Sequence, residues 1–276
     1  MQMFIDFLQQ NFWFFIVLVT LLSMCVGSFL NVVIYRLPLI MYREMIIESQ
    51  ELLNVNNQEP YEEITLSKPQ SHCPNCHTPI KYRDNIPVIG WLLLKGKCRT
   101  CHYAISAKYP LIECLTGILS MIIAVKYGVS YQALALLVLT YALIALTFID
   151  FKHQLLPDRI VYPLTVLGLC ANTVGLFVTP NMAIWGLTCG FGVLWIILYV
   201  FKIITGKDGM GYGDLKLLAC LGAWFGCFII PNVLLIASIF GVIVGIWLRR
   251  KYGESVPYAF GPYLAIGGWL MGVLSH

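Results

Sequence analysis

Residues 7–35 carry no Asp, Glu, Lys or Arg, and that uncharged stretch exceeds the roughly 20 residues a helix needs to cross a bilayer. Further apolar runs lie at about 109–125, 131–149, 160–178, 183–201, 215–230, 232–248 and 256–274, so the pattern predicts about eight transmembrane helices. Length decides the division at Pro231-Asn232: residues 217–248 drawn as one helix would extend about 48 Å at 1.5 Å per residue, against a hydrocarbon core of roughly 30 Å. A cleaved signal peptide is the rival reading of the first run. That run lacks a basic leading segment and ends in Tyr35-Arg36, not in small residues, so it is read as a retained span.

One large polar interval, residues 36–108, separates the first run from the others and holds half of the Lys and Arg residues. Within it, residues 43–63 are rich in Glu, and Ile46-Ile47 and Leu52-Leu53 recur at a spacing compatible with a short amphipathic helix. Asn54 to Pro60 then reads as a turn or linker. The chain divides accordingly into a first transmembrane helix (1–35), a loop domain (36–108) and a seven-helix membrane core (109–276). The other loops are short, so chemistry must sit at helix ends. The spans show no paired interruptions in matching halves, the mark of an inverted-repeat transporter.

Composition agrees. A chain of 276 residues with 59% hydrophobic and 12% charged residues cannot hide its apolar side chains in a soluble core, and the fold class is an all-α polytopic membrane protein. With the N-terminus outside and eight spans, every basic residue except Lys126 falls on the cytoplasmic side, where Lys and Arg collect. Merging the sixth and seventh spans would put Arg249, Arg250 and Lys251 outside. The net charge of +4 therefore reflects membrane topology, and a nucleic-acid partner is not expected.

The 10 cysteines fall into two groups. Cys25, Cys114, Cys170, Cys189, Cys220 and Cys227 lie in apolar spans, where cysteine acts as a small buried hydrophobe. Cys73-Pro-Asn-Cys76 and Cys98-Arg-Thr-Cys101 lie in the loop domain and supply four thiolates, a set suited to a closed structural zinc site that folds the loop. Two disulfides or a redox pair are the alternative, disfavoured by the reducing cytoplasm this loop is expected to face. His72, His77 and His102 flank the pairs as substitute ligands or as exposed loop residues.

Acidic residues near the cytoplasmic helix ends are candidates for catalysis, because ionisable groups at membrane depth are costly. They are Asp150, Asp158, Asp208, Asp214 and, inside the second span, Glu113. Asp158 follows Leu156-Pro157 and precedes an apolar run, which an N-capping role would explain. Asp214 could also cap, but Gly209, Gly211 and Gly213 before it permit unusual backbone angles and the close approach of a substrate chain. Asp150 closes the third span, where its charge opposes the helix dipole, so capping does not explain it. Spacing alone does not choose among them.

Several motifs together resemble the bifunctional prepilin peptidases, the type IV prepilin leader peptidase/N-methyltransferases. They are Gly27 to Pro38 (GSFLNVVIYRLP), the paired C-x-x-C loop, Lys95 to Arg99 (KGKCR), Tyr109 to Glu113 (YPLIE), Ile149-Asp150 with Leu156-Pro-Asp158, Gly209 to Gly222, and Phe260 to Tyr263 (FGPY). The G-x-G-D core is shared with presenilin-type proteases, whereas its combination with the cysteine loop is specific, and no departure falls within these motifs.

The resemblance implies a multi-pass enzyme of the bacterial inner membrane, in contact with membrane lipid, with a periplasmic N-terminus and with the cysteine loop and aspartates facing the cytoplasm. It implies cleavage of the leader from type IV prepilins or type II secretion pseudopilin precursors, then methylation of the new N-terminal residue with S-adenosylmethionine. By the same resemblance Asp150 and Asp214 are the peptidase aspartates, while Asp158 and Asp208 are not. Cys73, Cys76, Cys98 and Cys101 are the metal set, and Gly96 and Lys97 match positions associated with methyl transfer. Glu113 is a candidate for positioning the amine and the cofactor, though no Gly-rich nucleotide fingerprint marks that site. A membrane scaffold with a zinc-folded loop, or a proton-coupled transporter, is the alternative; the scaffold leaves Asp150 unexplained, and the carboxylates sit too near the surface for the transporter.

Overall fold

The structure, a computed structural model, describes residues 2–53, 64–206, 209–253 and 258–274. Asp208 and the linker expected at Asn54 to Pro60 lie outside the described residues. The described residues are helical apart from loops and two isolated bridges, and they form two compact units, 1–129 and 130–276.

In the first unit a short helix, α1 (Gln2–Gln10), precedes α2 (Phe12–Leu52). The expected first span and the amphipathic stretch after it are one continuous helix of 41 residues, roughly 60 Å long at 1.5 Å per residue and about twice the hydrocarbon thickness. Arg36 and Pro38 fall inside it without ending it. The reason for a buried arginine there is local: its guanidinium donates to the carbonyls of Thr65 (3.0 Å), Leu66 (3.3 Å) and Pro69 (2.6 Å), tying the returning loop to the helix.

That loop carries a 3-10 turn, Tyr82–Asn85, and α3 (Ile89–Leu93), and leads into α4 (Lys108–Tyr127). Helix α4 packs along α2, with Gly27 so close that a Cβ there would stand 2.9 Å from the Cα of Glu113. Asn31 adds a hydrogen bond to the Tyr109 carbonyl at 3.2 Å. Where the sequence grouped this helix with the later spans, its packing places it with the first.

The second unit contains α5 (Tyr131–His153), α6 (Asp158–Thr173), α7 (Pro180–Thr205), α8 (Tyr212–Phe225), α9 (Ile230–Tyr252) and α10 (Gly261–Leu274). Helix α8 is its centre. From Asp214 to Phe225 only Lys216 escapes full burial, because α6, α7 and α10 pack around it. Gly186 and Gly222 have no room for a Cβ where α7 and α8 cross. The buried side chain of Asn172 closes the far end of α8, donating to the carbonyls of Ala223 and Trp224, both at 2.9 Å, and accepting from the amides of Phe177 and Val178, both at 3.1 Å. All four of its hydrogen-bonding positions are met, which is what makes a buried amide tolerable.

Among the described residues, five helical stretches are long and apolar enough to cross a membrane: α2, α4, α5, α7 and Cys227–Lys251. Three expected spans correspond to the shorter α6, α8 and α10, of 16, 14 and 14 residues. Helix length alone thus bears out five of the eight expected spans. The break expected at Pro231-Asn232 falls earlier, at Gly226, whose φ of +81° suits glycine. Pro231 instead occupies the first turn of α9, where a missing N–H costs no helical bond.

Candidate active site and metal centre

Helix α5 ends in a left-handed Gln154, whose N–H caps the carbonyl of Asp150 at 2.9 Å. This sets Asp150 one turn from the helix end with its side chain buried. Its carboxylate receives the N–H of Gly261, the first residue of α10. The charge that opposes the dipole of its own helix is thereby placed at the positive end of another. Gly261 is required for the approach, since a Cβ there would stand 2.5 Å from Asp150 Oδ2.

Asp214 is the third residue of α8 and is 7% exposed. Its Oδ1 is buried without a hydrogen-bond partner among the described residues, and the charge of Asp150 acts on it. Leu156, in the turn after α5, fixes the spacing on both sides: ideal Cβ positions at Gly213 and Gly261 lie 2.9 Å and 3.1 Å from its side-chain atoms. Two buried carboxylates, the charge of one reaching the other, which has an unused oxygen, are costly unless used.

The capping roles considered for Asp158 and Asp214 are not what the structure has. The caps of α6 and α8 are Pro157 and Gly211, neither making a side-chain bond. Asp158 instead binds Lys216 Nζ through both oxygens at 2.8 Å, and that ammonium lies 5.2 Å from the centre of the Tyr162 ring. This ion pair accounts for the placement of Asp158. The part of the site that spacing did not single out is Gly261. Its signal is the Gly261-Pro262 pair near the start of the last apolar run.

In the first unit the four loop cysteines form one cluster, all sulfurs within 4.8 Å of one another. Cys73 and Cys101 are 3.7 Å apart, and Cys76 and Cys98 are 3.9 Å apart. These exceed a disulfide bond of about 2.05 Å and match the roughly 3.8 Å edge of a tetrahedron with metal–sulfur bonds near 2.3 Å. The same turn builds both halves. Cys73 pairs with Thr78 and Cys98 with Tyr103 through N–H to carbonyl bonds of 3.1 Å and 2.8 Å. His77 and His102 take the equivalent left-handed positions, at φ 54° and 55°. Those histidines, like His72, are exposed and stand outside the cluster. Hydrogen bonds from the Thr78 hydroxyl and amide hold the Cys76 thiol down to about 6, and the backbone N–H groups of Cys101 and Thr100 lower that of Cys98. Both favour the thiolate that binds metal. The donors fit a metal ion, with no position left open for a substrate.

Glu113 is buried in the second turn of α4 and accepts the Val88 N–H at 2.8 Å. Val88 has φ 59°, uncommon for a β-branched residue. Gly96, at φ +67°, donates to the Trp91 carbonyl at 2.9 Å, and a Cβ there would stand 2.8 Å from the indole. Lys97 is exposed and pairs with Ala104 in the bridge beside the second cysteine turn.

A helical membrane bundle that buries ionisable groups at its helix ends defines a membrane-embedded enzyme. Residues 21–127 match the model of the bacterial Peptidase A24 N-terminal domain, and residues 137–246 match that of the type IV leader peptidase family. The chain belongs to the type IV leader peptidase family and is a peptidase. It is 46% identical over 268 residues to a prepilin leader peptidase/N-methyltransferase of Stutzerimonas stutzeri, covering 96% of this chain and 93% of the relative. Proteins of the same name from Aeromonas salmonicida and Neisseria gonorrhoeae are 47% and 44% identical over 262 and 259 residues, each covering 94% of this chain and 90% of the relative. No solved structure matches the chain.

Proposed function

We propose that this chain removes the leader peptide from type IV prepilins and from type II secretion pseudopilin precursors, then methylates the exposed N-terminal residue. The names of its relatives support both activities. The observation that carries the cleavage step is the burial of Asp150 and Asp214 within electrostatic reach of each other, with the Gly261 N–H on the first and an unpartnered oxygen on the second among the described residues.

The N–H of Gly261 and the α10 terminus stabilise negative charge on Asp150, which suits it to take the proton of an attacking water. Two adjacent carboxylates resist joint ionisation, so Asp214 carries the proton and polarises the scissile carbonyl. As the carbon–oxygen bond forms, the water proton passes to Asp150. As the carbon–nitrogen bond breaks, that proton goes to the leaving amine, and Asp214 recovers its own. Among the described residues the pair leaves no part for Asp158, already held by Lys216.

For the second activity, S-adenosylmethionine supplies an electrophilic methyl group that the new terminal amine takes up, leaving S-adenosylhomocysteine and a proton. The chain's own contribution is a buried carboxylate, Glu113, which lines the same cavity as Trp91. Zinc held by Cys73, Cys76, Cys98 and Cys101 folds the loop and takes no part in either reaction.

The chain works in the bacterial inner membrane, surrounded by lipid, with its N-terminus in the periplasm and with the loop domain (36–108) and the aspartates of the membrane core facing the cytoplasm. The placement of every Lys and Arg except Lys126 supports this orientation. The scaffold and transporter readings have no observation in their favour. The test is to incubate the purified protein with a prepilin and follow the product by mass spectrometry. Wild type should yield a shortened, methylated chain, and Asp150→Asn and Asp214→Asn should each yield none while keeping metal content and membrane insertion. Substantial cleavage by either variant would remove that aspartate from the mechanism.

A further inference from the structure

The first unit contains a cavity of about 370 Å³ bounded by α2, the cysteine turns, α3 and the start of α4, within the size range of small-molecule sites. Its lining includes Asn31, Tyr35, Cys73, Trp91, Cys98 and Glu113, so two of the metal-binding residues form part of the wall. Aromatic faces are present for a flat ring, and polar side chains for hydroxyl and amide groups.

Most charge on this lining is already satisfied. Arg36 is engaged by three backbone carbonyls, and Asp84 and Arg99 hold each other through two hydrogen bonds. Glu113 differs. It is 7% exposed, its partner is the Val88 N–H on Oε2, and no cation meets it among the described residues. A buried carboxylate is tolerated only when positive charge or several donors compensate it. The strained backbone of Val88 fixes the carboxylate orientation, and strain of this kind clusters at functional sites. The missing partner is therefore a cation carried by a ligand of cavity size.

We propose that this cavity binds S-adenosylmethionine and that Glu113 is the anion facing its sulfonium centre. The assignment rests on the methyltransferase reading above. It also gives Gly96 a part, as a positioning residue that lets the Trp91 indole form the wall.

The experiment compares S-adenosylmethionine with S-adenosylhomocysteine, whose sulfur is neutral, by calorimetric binding to the full-length, metal-loaded protein in detergent. Glu113→Gln should weaken S-adenosylmethionine by about ten-fold or more, the loss expected on removing one member of a buried charge contact, and should leave S-adenosylhomocysteine within about two-fold. Equal weakening of the two ligands, or no weakening, overturns the assignment. A second measurement needs no variant: ultraviolet crosslinking of methyl-labelled cofactor to wild type, followed by peptide mapping, should place the label within residues 28–113. Label elsewhere on a wild type that methylates pre-cleaved pilin overturns the site and leaves the methyltransferase reading standing. A wild type that neither binds the cofactor nor methylates overturns both.

Discussion

The backbone N–H of Gly261 donates to the carboxylate of Asp150, joining the first residue of α10 to the last turn of α5. Neither residue explains itself alone. Asp150 would be a buried charge at the wrong end of its helix, and Gly261 would be an arbitrary small residue ahead of a proline.

Adding one methyl group at Gly261 tests the contact. A Cβ would stand 2.5 Å from Asp150 Oδ2, so Gly261→Ala must push the carboxylate aside. A displacement near 1 Å of a catalytic group costs about 100-fold in rate. Cleavage of a prepilin by the purified variant should fall by about that factor, with the loss in kcat, and methylation of a pre-cleaved pilin should persist.

The Asp158–Lys216 pair is half-exposed, with side-chain exposures of 46% and 28%, so breaking it removes only a surface-type interaction of about 1 kcal/mol or less. Asp158→Asn should lower the melting midpoint by no more than a few degrees and leave cleavage within a few-fold of wild type. An Asp158→Asn protein with intact fold and no cleavage would show that a third carboxylate is needed.

Gly96 combines a positive φ with contact against Trp91. Gly96→Ala strains the backbone and displaces the indole together. Methylation of pre-cleaved pilin should drop by about ten-fold or more, since misplacement of a positioning group costs at least that, and the intrinsic fluorescence of the variant should shift.

Stripping the metal should undo the loop. A closed four-thiolate site contributes its binding energy to folding, so a strong chelator should release zinc and make the loop domain sensitive to protease. Cys76 is ionised above about pH 6. Lowering the pH through that value returns its proton and opposes the metal, so reloading of the stripped protein should weaken as pH falls. Metal analysis and limited proteolysis across pH 5–8 check both.

What was legible in the sequence followed from strong, local signals. Long apolar runs marked α2, α4, α5 and α7, and paired C-x-x-C spacing marked the thiol cluster, because these patterns are written in consecutive residues. Relationships across the chain were not legible. Nothing near Asp158 announces Lys216, so helix capping was the available explanation, and the structure replaced it with an ion pair 58 positions away. The length of α2 was missed for a similar reason. Arg36 looks like the end of a membrane run until its guanidinium is seen holding three carbonyls of the returning loop. The break before α9 was expected at a proline and found at Gly226, since proline in a first helical turn interrupts nothing.

The repeated cysteine turns bear on how this loop can diversify. Each presents two sulfurs from the same hydrogen-bonded scaffold, and one metal joining them would pin both ends of the chain that runs from Pro79 to Lys97. The closing cost of such a segment grows only slowly with its length, so the stretch behaves as an interchangeable cassette in a fixed clasp. Residues such as Val88 and Trp91 lie between the two turns and outside the thiol cluster, whereas Asp84 is bound to Arg99 of the second turn, so a cassette that retunes what the loop recognises would vary the former and keep the latter.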